Sequence, residues 1–187
     1  MRTLILVSGA VLVFACSKTP HEGGHATSAP ASAPMNATAG QSPLSSEATA
    51  AFRAALAKYE TLRDGLAKDS TAGLADAASA LAADARKAAR EASGSAKSNL
   101  ESLAAAADAF KAKPESDIEG LRVAFGDVSK HTLGVLVATP SLQQGLFVFQ
   151  CPMAKGYQKW LQTSDGIKNP YMGAKMLECG EKAAWAV

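Results

Sequence analysis

The residues of this chain best suited to chemistry are its sulfurs, and most of them lie at one end. From Cys151 to Gly180 the sequence reads CPMAKGYQKWLQTSDGIKNPYMGAKMLECG, which holds two of the three cysteines and three of the five methionines. Thiolates and thioethers are soft donors that select Cu(I) or Ag(I) over harder ions. Cys151, Met153, Met176 and Cys179 are therefore candidate metal ligands, with His131 and Met172 as further donors. Pro152 forces an extended geometry on Cys151 and then turns the chain. That bend lets Cys151 and Met153 direct two sulfur atoms at one centre. The wide separation of the cysteines is not that of a zinc ribbon, and no second C-x-x-C accompanies them.

A second reading uses the same pair without metal. In an oxidising compartment an even pair of cysteines forms a disulfide. Closing a loop of this size stabilises a domain by about 3–4 kcal/mol in the chain-entropy model. A third reading leaves both as unpaired structural thiols. The first two can be redox states of one pair, and all three stay open here. Met153 and Met176 taken singly also suit gap-filling in a core. Trp160 and Tyr171 read as the module's aromatic core, and Asn169-Pro170 as a turn. His131, one turn after Val128, is a hydrogen-bonded boundary residue if it is not a ligand.

The elements that must position these residues are helical. Ser46, with Glu47 in the first turn, opens a helix whose Phe52, Leu56, Tyr59, Leu62 and Leu66 share one face. Asp69-Ser70-Thr71 ends it and caps a second helix, reaching about Ser93, with Leu74, Ala78, Leu81, Ala85 and Ala88 inward. A third runs from about Ala96 to Lys113, carries Leu100, Leu103, Ala107 and Phe110 inward, and is closed by Pro114. The fourth starts near Ser116-Asp117, turns Ile118, Leu121, Phe125 and Val128 inward, and ends at Thr139-Pro140. Short connections predict an up-down antiparallel four-helix bundle, all-α in class, over 46–140. A small irregular Cys/Met-rich module over 141–187 packs on it. Leu146 to Gln150 is β-prone and delivers Cys151 as a strand or extended segment. A short helix is expected over Ala174–Glu178.

The N-terminal end predicts a location. Met1-Arg2 and the short apolar run Leu4–Phe14 fit a secretory leader and are too short to span a bilayer comfortably. Val13-Phe14-Ala15-Cys16 looks like the lipobox of a bacterial lipoprotein, which implies cleavage after residue 15 and acylation of Cys16. Ser17 after the cysteine resembles an outer-membrane destination facing the periplasm. Residues 16–45 are rich in Ala, Ser, Pro, Thr and Gly and read as a disordered tether. His21 and His25 lie in it, as exposed linker histidines or a weak metal-collecting arm. Net charge is +2, from 19 basic and 17 acidic residues. That is too near neutral to argue for a nucleic-acid partner. No Ser-His-Asp set, phosphate loop or H-E-x-x-H is present, so no enzyme is expected.

The C-terminal pattern CPMA, then Trp160-Leu161, then Ile167-x-Asn-Pro-Tyr-x-Gly-x-x-Met-Leu-x-Cys-Gly resembles an exported bacterial domain family of undetermined function. The stretch Arg122 to Ser129 resembles that family's fourth-helix pattern, so the likeness covers about residues 50 to 182. It carries over Cys151, Pro152, Met153, Trp160, Asn169, Pro170, Tyr171, Gly173, Met176, Cys179 and Gly180. Many members have a His immediately before the CPM, where this chain has Gln150. The family occurs on secreted proteins and lipoproteins, beside heavy-metal-binding modules, and in adaptor subunits of copper and silver efflux pumps. The resemblance thus implies a metal-handling or metal-efflux partner and copper as the cargo. The expected function is a lipid-anchored, periplasm-facing protein that binds or passes on a soft ion such as Cu(I). The alternative is a disulfide-stabilised helical interaction module of the envelope without metal.

Overall fold

The computed structural model describes residues 43–187. The leader, Cys16, His21, His25 and nearly all of the expected tether lie outside the described residues. Four helices come first: α1 (Ser46–Ala67), α2 (Leu74–Arg90), α3 (Gly94–Lys111) and α4 (Ile118–Ala138). Three short strands follow: β1 (Phe147–Gln150), β2 (Lys159–Gln162) and β3 (Glu181–Lys182).

Local chemistry explains the starts of α1 and α4. Ser45, one residue earlier than expected, caps α1 by accepting from the Ala48 amide at 3.1 Å. Asp117 caps α4 through the Gly120 amide at 2.9 Å, satisfying a donor the first turn leaves open. The Asp69-Ser70-Thr71 cluster does not cap α2. Gly73 sits at that N-cap with φ 74° and no side-chain bond. Asp69 instead takes a left-handed φ of 56° and turns its carboxylate toward Arg122 and the Ala174 amide.

Each helix runs antiparallel to the next. Gly65 near the end of α1 lies against Leu74 at the start of α2. Arg86 of α2 pairs with Asp108 of α3, and Lys111 reaches Ser79. Asn99 of α3 occupies the space above Gly134 of α4. Tyr59 of α1 bonds Ser129 of α4 at 2.8 Å. The expected inward positions are buried throughout α2 and α3, as are Phe52, Tyr59, Leu62, Leu66, Leu121, Phe125 and Val128; Leu56 and Ile118 are only half-buried. Alanine supplies much of this core, so the helices gain from close approach more than from large buried side chains.

The all-α expectation is corrected. The C-terminal part is built on an antiparallel sheet in the order β2-β1-β3. β1 pairs with β2 through Val148–Leu161 and Phe149–Trp160, and with β3 through Gln150–Glu181. Strands of two to four residues carry too little alternation to show a period. The expected helix over Ala174–Glu178 is a 3-10 turn at Gly173–Met176. Gly173 opens that turn at φ 65°, a left-handed conformation suited to glycine. No helix among the described residues is long and apolar enough to cross a membrane.

Candidate functional site

The sheet brings the two cysteines together. Cys151 directly follows β1, and its amide donates to the Gln158 carbonyl at 3.0 Å, closing the β1–β2 connection. Cys179 lies two residues before β3. The antiparallel register that sets Gln150 opposite Glu181 carries Cys179 back beside Cys151. Their Sγ atoms are 3.8 Å apart and not bonded to each other. Cys151 is fully buried within the apolar core, and Cys179 is half-buried. The hydrogen bond to the Cys151 thiol, then burial, raises the Cys179 thiol above its ordinary range. The two thiols thus lie within hydrogen-bond reach of each other.

Gly180 allows this approach. Its φ is 142°, and a Cβ there would stand 2.8 Å from the Gln150 carbonyl oxygen and 2.9 Å from the Trp160 ring. Trp160 stacks on Phe149 and meets Tyr171 edge-on. Its indole donates to Gln162, whose amide in turn donates to the carbonyls of Ser164 and Gly166.

The Asn169-Pro170-Tyr171 turn holds the other cysteine. Asn169 is fully buried. Its side-chain oxygen accepts from the Tyr171 and Met172 amides, at 2.8 and 3.1 Å. Its side-chain nitrogen donates to the Cys179 carbonyl at 2.5 Å. Its own amide donates to Leu177 at 2.7 Å. The side chain's three bonds and the backbone amide thus close the loop from residue 169 to residue 179, a role that a buried, hydrogen-bonded amide can fill.

Helices α1 and α4 grip this module through buried polar side chains. The Leu161 amide donates to the Tyr59 hydroxyl at 3.1 Å, Tyr59 shares a bond with Ser129, and Ser129 donates to the Lys159 carbonyl at 2.9 Å. Tyr171 donates to the same carbonyl at 2.6 Å. Burial keeps the Tyr59 and Tyr171 hydroxyls protonated well above the usual tyrosine range. Arg122, largely buried, donates to the carbonyls of Pro170 and Leu66 and pairs with Asp69 and Glu119. Arg63, also buried, pairs with Glu60 and donates to the Lys168 carbonyl at 3.1 Å. Sequence reasoning assigned neither arginine a role. The available signal was a Glu-x-x-Arg spacing repeated on α1 and α4, each Arg placed next to the apolar stripe.

The remaining candidate ligands are distributed differently. Met153 is 60% exposed. With Met172 it lines a surface cleft of about 410 Å³ whose walls include neither cysteine. Met176 is half-buried in the 3-10 turn that precedes Cys179. His131 is half-buried on α4, and burial, then the neighbouring Lys130 charge, lowers its pKa against the opposing effect of Asp127. Among the described residues no three His, Cys, Asp or Glu side chains converge as a metal site. The sulfur donors of methionine fall outside that set. Pro152 is exposed at the mouth of the β1–β2 connection.

Compared with family models, with curated proteins and with solved structures, the chain matches none.

Proposed function

We propose that this is an exported, lipid-anchored protein of the bacterial envelope whose C-terminal module is a soft-cation dithiol. In the reduced state Cys151 and Cys179 hold an ion of the Cu(I) or Ag(I) kind, with Met176 as the thioether nearest Cys179 in sequence. The observation that carries this reading is the approach of the two sulfurs to 3.8 Å. Thiolate pairs favour soft ions. The likeness to an exported domain family found beside metal-efflux components supports the same cargo, an efflux or metal-handling partner and a periplasm-facing location. The reading requires no catalysis. The four helices act as a bundle that presents the module at the end of a tether anchored through Cys16.

A second reading rests on the burial of Cys151. A thiol pair this close and this enclosed also suits a structural disulfide, which makes the protein a metal-free interaction module of the envelope.

The test is an anaerobic Cu(I) titration of the purified Cys16→Ser chain against a chromophoric chelator, before and after reduction. One ion bound per reduced chain, lost in both Cys151→Ser and Cys179→Ser, is the expected result. A stable Cys151–Cys179 disulfide with no uptake after reduction overturns the metal reading and leaves the interaction module.

A further inference from the structure

We infer that the cleft holding Met153 and Met172 is a second site, built for a small organic monocarboxylate with an apolar body. The inference does not rest on the dithiol. The cleft measures about 410 Å³, within the roughly 300–1,000 Å³ of small-molecule sites. Its position is set by α4 and by the two turns that lead from β1 and from Asn169.

The walls and rim differ in chemistry. Of the four large hydrophobic side chains left exposed among the described residues, Val123 (43%) and Met153 (60%) both line this cleft. Apolar surface left in water and gathered in a concavity marks a contact site. Tyr171 and Met172 extend the apolar wall, and unbranched thioethers adapt to ligands of varied shape.

The charges select the head group. Arg122 is taken up by Asp69 and Glu119. Lys155 has only Glu119, at 3.9 Å, and Lys175 has no ion-pair partner among the described residues. Three cations and two carboxylates line the cleft, leaving one positive charge in excess. A single carboxylate neutralises that excess. A dianion meets the two resident carboxylates, and a cation meets the lysines. The same balance disfavours a soft metal ion at these two methionines.

The test is NMR of the full chain with 13C-methyl methionine, titrated with octanoate and, separately, with the neutral octanamide. The Met153 and Met172 methyl signals are expected to shift saturably with octanoate, while Met176, outside the cleft, stays unmoved. Replacing both exposed lysines, Lys155→Gln with Lys175→Gln, should weaken octanoate about fivefold to tenfold, two exposed ion pairs' worth. Octanamide should bind more weakly and ignore the lysines. Val123→Asp, a change at an exposed position, should also weaken octanoate. Shifts that do not saturate, equal binding of octanoate and octanamide, or a double variant that binds octanoate as before would each overturn the proposal.

Discussion

The α2–α3 side of the molecule and the α1–α4 side are made of different material. The buried residues of α2 and α3 are leucine and alanine with Phe110, and Arg86–Asp108 is an exposed ion pair between them. On the α1–α4 side lie Tyr59, Ser129, Arg63 and Arg122, all buried; the first two bond strand β2 and the arginines bond the turn at Lys168 and Pro170. Apolar contacts stabilise without direction, since burial scales with area. Buried polar groups fix a geometry, because leaving one unsatisfied is costly. The α2–α3 side thus supplies stability, and the α1–α4 side determines where Cys151 and Cys179 sit.

Substitutions on the two sides should separate these contributions. Leu81→Ala, at a fully buried position of α2, should lower unfolding free energy by about 3–4 kcal/mol in urea titration. Thiol modification rates of the remaining folded protein should not change. Gly173→Ala should cost about 3 kcal/mol through its left-handed φ and displacement of the Asp69–Arg122 pair. Here the thiol rates should rise, because that turn leads into Cys179. Tyr59→Phe leaves the Leu161 amide without its acceptor and should cost about 2 kcal/mol, with faster hydrogen exchange at Leu161. If Leu81→Ala altered thiol rates as much as Gly173→Ala, the division between the two sides would fail.

Alkaline pH should act on the polar side alone. Burial raises the Tyr59 and Tyr171 hydroxyls, and pushes Tyr157 up to about 12. Unfolded tyrosine ionises near pH 10. The stabilising contribution of these groups is therefore full below about pH 10 and falls as pH rises through the folded values. Urea midpoints measured from pH 9 to 11 should decline, and less so in Tyr157→Phe. Smallest of all, Arg86→Ala on the opposite side should change stability by under about 0.5 kcal/mol, as both partners are half-exposed.

The same division governs what was legible in the sequence. Helical period exposes apolar stripes, so Leu81, Leu103 and Phe125 could be placed inward from spacing alone. Asp69 looked like a cap because a cap needs only a local acceptor. Its actual partners, Arg122 and the Ala174 amide, are distant in sequence. The β-prone run Leu146–Gln150 was legible and forms β1; β2 was hidden because it buries Gln162 beside Leu161, which breaks the alternation that marks a strand. Gly173 and Gly180 stand out in the sequence of the module, but their reasons are the side chains and backbone that fill their Cβ space. The cysteines could be identified as a pair. Their approach depends on a two-residue strand, β3, that carries no local signal.

The most direct test of the positioned dithiol is its reduction potential, measured in glutathione buffers on the Cys16→Ser chain, folded and in urea. A fold that presses Cys151 against Cys179 should make the pair's disulfide more stable than in the unfolded chain. The expected shift is to a potential lower by at least about 30 mV, a tenfold change in the equilibrium constant. Equal potentials in the two states would mean that the fold does not hold the sulfurs together. The C-terminal module would then lose its claim to be a site.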